Sequence, residues 1–143
     1  MKNQHMTQST KQDQIKRTWH LIDLKNKILG RESTYIAKLL MGKNKPYFTR
    51  HLDVGDYVIV TNVQYVKTTG RKEDQKNYYR HSGYPGGLKT ESLKELRARK
   101  PEEIIYHAVK GMLPQNRLRD RMLRRLKIFA TDTHPYEEKL KNT

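Results

Sequence analysis

Apolar residues along this chain fall into short clusters with two periods, and the periods sort the clusters into strands and helices. Residues 18–23, TWHLID, alternate, with Trp19 and Leu21 on one face and His20 and Ile22 on the other, which predicts a short strand. Residues 32–42, ESTYIAKLLMG, follow the helical period, with Ile36, Ala37 and Leu40 on one face. Gly42 stands where a helix C-terminal glycine belongs, and Gly30 is read as shaping the turn before this helix. Residues 43–50, KNKPYFTR, are basic and aromatic around Pro46 and read as a loop. DYVIVTN, residues 56–62, runs apolar without alternation. A strand apolar on both faces is central and covered on both sides, which predicts an α/β layered fold.

The second half continues in the same way. Residues 64–72 are basic and end in a turn at Thr69-Gly70. KNYYRH, residues 76–81, predicts a further strand, with Tyr78 and Arg80 opposed to Tyr79 and His81. SGYPGG, residues 82–87, is read as irregular, shaped by Gly83, Gly86 and Gly87. ESLKELRARK, residues 91–100, predicts a helix with Leu93 and Leu96 inward and a capping box from Ser92 to Glu95. Pro101-Glu102-Glu103 opens another helix, whose inner face is read as Ile105, Ala108, Val109 and Met112. Pro114 breaks it. RLRDRMLRRL then predicts a short amphipathic helix with Leu118, Met122 and Leu126 at four-residue spacing, and KIFA a last short strand. The polar, Gln-rich residues 1–15 read as a mobile tail, because they have little apolar surface to offset ordering entropy. Residues 133–143 read as an extended tail, leaving one domain over 16–132.

Charge narrows the function. Lys and Arg number 30 against 15 Asp and Glu, a formal +15. Solubility asks for a net charge of only about 2 to 8. The excess implies a polyanionic partner, since phosphate contacts release counterions. Residues 110–127 hold seven cations and only Asp120 in opposition, a net +6. With the apolar positions on one face, Arg117, Arg119, Arg121, Arg124 and Arg125 fan over the rest, flanked by Lys110 and Lys127. Arginine forks match phosphate oxygens in pairs. No run approaches the roughly 18 apolar residues of a membrane-spanning helix, and the N-terminus lacks the apolar stretch of a secretory signal. A membrane partner is therefore not expected. The absence of cysteine removes disulfides, thiol catalysis and cysteine-ligated zinc.

Candidate chemistry is sparse. His51, Asp53 and Asp56 have the residue types of hard-metal or phosphoesterase ligands. No matching acidic or histidine cluster accompanies them, and the favoured reading is a turn in which Asp53 holds a nearby Arg or Lys. The glycine loop at 82–87 lacks the Gly-Lys-Ser/Thr ending of a nucleotide-binding loop. Beside it, Tyr79 and His81 suit stacking on unpaired bases. None of the six His, including His20, His107 and His134, lies in a recognisable catalytic arrangement. No catalytic residue, metal or cofactor is assigned.

The order of the pieces carries a resemblance. Trp19…Asp23…Leu29-Gly30-Arg31, His51-x-Asp53-x-Gly55-Asp56, Asn62, Thr69-Gly70-x-Lys72, Tyr78-Tyr79-x-His81-x-Gly83-x-x-Gly86-Gly87, Val109-Lys110-Gly111-Met112-Leu113-Pro114 and Leu126-Lys127 together resemble the bacterial-type large-subunit ribosomal protein L-thirteen family, from about residue 16 to about residue 137. The resemblance implies a three-layer α/β/α fold around a mostly parallel sheet, with extended basic loops and tails. It implies a non-enzymatic constituent of the large ribosomal subunit that binds its rRNA and supports early assembly. Its partners would be that RNA and neighbouring large-subunit proteins, not further copies of itself. Its place is the ribosome, cytoplasmic or organellar. Carried onto this chain, Arg31, Lys43, Lys45, His51, Lys72, Lys76, His81, Lys110, Arg117 and Arg124 are expected RNA contacts, with Gly111 and Pro114 shaping a turn. Arg50 and Lys89, in the same basic loops, are added, as are the remaining cations of 117–127. Gly70 belongs with the turn-shaping residues. The family pattern Gly-Arg after Leu118 is here Arg119-Asp120, which implies a more regular helix and a phosphate-facing arginine displaced to Arg119 or Arg121. Repression through a messenger RNA, and metal-dependent RNA hydrolysis by His51, Asp53 and Asp56, are the alternatives.

Overall fold

The computed structural model describes residues 10–141. Residues 1–9, most of the expected N-terminal tail, lie outside the described residues. Residues Gln12–Gln14 form a single 3-10 turn. The strands are β1 (Trp19–Asp23), β2 (Tyr57–Thr61), β3 (Asn77–His81), β4 (Leu88–Ser92) and β5 (Leu126–Ile128). The helices are α1 (Leu29–Met41), α2 (Lys72–Gln75), α3 (Leu93–Arg99), α4 (Pro101–Met112), α5 (Leu118–Arg124) and α6 (Glu137–Lys141).

The central sheet is parallel, in the order β1-β2-β5. The middle strand is the one whose sequence lacks alternation, and Val58 through Thr61 are all buried. Register places His20 and Ile22 beside Val58 and Val60, and these beside Leu126 and Ile128. Ile22, Val58, Val60 and Leu126 join one continuous core with Ile36, Ala37 and Leu40 of α1 and Ile104, Ile105 and Val109 of α4. On the opposite sheet face the C-terminal segment packs around Trp19, while Leu21 stays 49% exposed. Tyr57 stacks on Trp19 at 4.3 Å between ring centres, Trp19 stacks on Tyr136 at 5.5 Å, and α6 packs on β1. The chain is thus an α/β fold around a parallel sheet, as its sequence predicts.

Several local expectations change. Residues 137–141, expected in an extended tail, form a helix held by the Tyr136–Trp19 stack. β3 leaves the parallel sheet and forms an antiparallel hairpin with β4, with SGYPGG as its turn. The helix after Ser92 forms with both halves of its capping box, but residues 88–92 before it are strand. On α4 Ile105 and Val109 turn inward as expected, Ile104 joins them, and Met112 is 41% exposed. Gly30 and Gly111, expected to shape turns, lie inside α1 and α4 with no left-handed backbone. Gly70, Gly83 and Gly86 do take left-handed conformations, and Gly87 leaves no room for a side chain against Ser82. Gly42 ends α1 in the left-handed conformation, as its position in the sequence predicts.

Candidate nucleic-acid interface

The corner at residues 53–56 is built from a close approach. A Cβ on Gly55 would lie 1.7 Å from the Leu40 carbonyl oxygen, so only glycine lets the last turn of α1 meet this segment. The guanidinium of Arg125 enters the same corner. It pairs in bidentate fashion with the Asp53 carboxylate and donates to the Leu40 carbonyl oxygen at 3.2 Å. A cation there also suits the negative end of α1. Arg125 was expected among the RNA contacts. It is instead 6% exposed, because its fork is consumed inside the protein.

Asp56 forms a second, adjacent cluster. Its Oδ1 accepts from Lys45 Nζ at 2.5 Å and from the Thr18 amide at 3.0 Å, and its Oδ2 lies 3.2 Å from His20 Nε2. Lys45 Nζ also donates to the carbonyl oxygens of Lys16 and Val54. Lys45 was likewise expected on RNA, and its ammonium is turned inward. Asp53 and Asp56, two of the three candidate metal ligands, therefore hold separate cations, while His51 stands exposed.

Burial pushes the Asp56 carboxyl up, but the hydrogen bonds from Lys45, the Thr18 amide and His20, with the charge of Lys45, outweigh it. The net result lies below the ordinary value of 3.8. A depressed folded-state pKa contributes stability that is complete above the unfolded value and is lost as pH falls through the folded one. Urea midpoints measured from about pH 6 down to about pH 3 are expected to drop steeply for the natural chain. Asp56→Asn is expected to start lower and lose less over the same range. Parallel curves would show that Asp56 does not carry the acid sensitivity.

Other cations named from the sequence behave differently. Arg31, Lys43, Arg50, Lys72, Lys76, Lys89, Arg117, Arg121 and Arg124 are exposed, and Lys110, Arg119 and Lys127 are half-buried. Among the described residues, none of these twelve is paired with a carboxylate. Asn116 starts α5 by accepting from the amides of Leu118 and Arg119. Met122 and Leu123 are buried and Leu118 packs against the core, which turns Arg117, Arg121 and Arg124 outward. The helix runs unbroken through Arg119-Asp120, with Arg121 exposed and the Arg119 Nε buried. Pro114 follows Leu113, the residue that caps the end of α4.

The hairpin offers another surface. Tyr79 is 68% and Tyr84 75% exposed, while Tyr78 turns inward to pack against His107. His81 Nδ1 accepts from the Gly83 amide at 2.9 Å, which pins the ring and leaves its other nitrogen outward. Arg31 and the pair Lys72 and Lys76, distant from it in sequence, come together around one groove. Sequence reasoning missed Arg71 and His107 in its lining. The signal for Arg71 was present: it follows the Gly70 turn beside Lys72.

Residues 17–135 match the sequence profile of the family described as Ribosomal protein L13. The chain is 52% identical over 127 residues to the large ribosomal subunit protein uL13 of Dictyoglomus thermophilum, covering 89% of each chain. It is 50% identical over 131 residues to that of Thermotoga maritima, covering 92% of this chain and 88% of the relative. It is 52% identical over 130 residues to that of Lawsonia intracellularis, covering 91% and 90%.

Proposed function

The chain belongs to the ribosomal protein L13 family, and from that premise we propose that it binds large-subunit rRNA and supports early assembly of the subunit. Its coarser role is that of a structural ribosomal protein. The observation that carries the finer reading is the set of twelve cations with no carboxylate partner among the described residues, which stand out because the inward-turned Lys45 and Arg125 are paired. Cations left without internal carboxylates have phosphate oxygens as natural partners. Contacts of this kind position a protein on RNA by shape and backbone rather than by base edges, since the deep major groove of an RNA helix is closed to side chains.

Binding a folded RNA arrangement stabilises that arrangement by mass action, which is how an early-binding protein biases assembly. The role needs no catalytic group and no cofactor. Neighbouring large-subunit proteins are its other partners, and the ribosome is its location. No helix among the described residues is long and apolar enough to cross a membrane.

Co-sedimentation tests the reading. Tagged chain expressed in cells is expected to travel with the large subunit and to stay there through a high-salt wash. Quantitative release by the wash, or sedimentation with free protein, would refute a structural role in that particle.

A further inference from the structure

A groove of about 960 Å3 runs between the start of α1, the turn at residues 68–72 and the last turns of α4. Its size is at the upper end of the roughly 300–1,000 Å3 usual for ligand sites. Its rim carries Arg31, Arg71, Lys72 and Lys76, and among the described residues none of these is paired with a carboxylate. The lining also includes apolar side chains, Met112 among them, 41% exposed at the end of α4.

Two glycines in the wall sharpen the picture. Gly30 lies in the first turn of α1 and Gly111 in the last turn of α4. Nothing in the fold asks for glycine at either position. Neither takes a left-handed backbone, and an added Cβ on either would meet nothing within 4 Å. The space they leave opens into the groove.

We propose that this groove takes one unpaired nucleotide of a bound RNA, with its base against the apolar wall around Met112 and its flanking phosphates on Arg31, Arg71, Lys72 and Lys76. The inference rests on the RNA-binding reading and adds a single-strand site to it. A duplex would leave the apolar wall unused, because its bases are stacked inside. An unpaired base offers a π-face to the wall, while its backbone offers charge to the rim.

The test uses the full chain and two labelled RNAs. One is a single strand of about five nucleotides, UUAUU, and the other is a blunt duplex of about 16 base pairs. Gly111→Leu and Gly30→Leu are expected to weaken binding of the single strand by about tenfold or more. Removing the central base of the strand is expected to do the same to the natural chain. Duplex binding is expected to stay within about twofold, as for a site distant from the change. Both sites lie in terminal turns with open space where the Cβ would go, so Tm is expected to stay nearly constant. Arg71→Gln with Lys76→Gln is expected to weaken single-strand binding and flatten its salt dependence.

Undiminished single-strand binding by both leucine variants would overturn the groove site. So would equal competition by an acidic peptide, which would mark it as a protein contact. Natural chain that binds the duplex but not the single strand overturns the groove alone. Natural chain that binds neither RNA overturns the RNA-binding reading along with it.

Discussion

Replacing Asp53 with Ala is expected to lower the unfolding free energy by about 3–5 kcal/mol, the loss seen when one member of a buried ion pair is removed. The Arg125 and Asp53 side chains are only 7% and 12% exposed, so water does little to replace the lost partner. The guanidinium would keep one backbone acceptor, the Leu40 carbonyl oxygen, and its Nε already has no partner. For a chain of this length the expected fall in Tm is roughly 10–20 °C. Arg125→Met alone is expected to be similarly damaging, since it strands the carboxylate. The double replacement Asp53→Leu with Arg125→Met is expected to recover part of the loss, because apolar side chains often substitute for a buried pair at little cost. Urea unfolding of the three variants gives the comparison. A loss below about 1 kcal/mol for Asp53→Ala would place the pair with ordinary surface salt bridges.

The same residue shows how far the sequence could be read. In RMLRRL the two arginines Arg124 and Arg125 are adjacent, and charge alone treats them alike. Helical spacing does not. Arg125 falls three residues after Met122 and seven after Leu118, so it continues the buried stripe of α5, whereas Arg124 leaves it. That placement was legible; its partner, Asp53, was legible only as a residue holding some nearby cation. Lys45 gave no such signal, because its loop has no period and its inward turn depends on Asp56 arriving from a different segment. Gly55 was visible as part of a turn, but the carbonyl that excludes every other residue there comes from α1.

Elements with their own apolar period were read well, and elements made by neighbours were not. β2 and α1 bury the residues their patterns point inward, and Ser92 with Glu95 caps α3 as spaced. On α4 the pattern points Met112 inward, but it lies at the helix end, past the packed neighbours, while Ile104 is buried. β4 has no alternation to read: LKTES is strand because it pairs with β3 across a turn. The C-terminal helix is short, with no buried residue of its own, and owes its place to the aromatic stack on Trp19. The groove inherits this limit. Its lining comes from three separated segments, so sequence named Arg31, Lys72 and Lys76 without bringing Arg31 to the other two.

Replacing Arg117, Arg121 and Arg124 together with Gln is expected to flatten the dependence of rRNA affinity on salt. Each phosphate contact contributes up to about 0.9 to the slope of log affinity against log salt, with the duplex DNA figure as a guide, so three contacts contribute up to about 2.7. Raising salt from about 50 to about 200 mM would then cost the natural chain about 40-fold more affinity than the variant. All three side chains are exposed, and none is paired with a carboxylate among the described residues, so Tm is expected to stay nearly constant. This sets them apart from Arg125, whose replacement costs stability first. Binding of a large-subunit rRNA fragment measured across that salt range, with Tm measured in parallel, separates the two roles. An unchanged slope would mean that the outward face of α5 does not meet phosphate, and the basic surface would then have to act through its loops or through the groove.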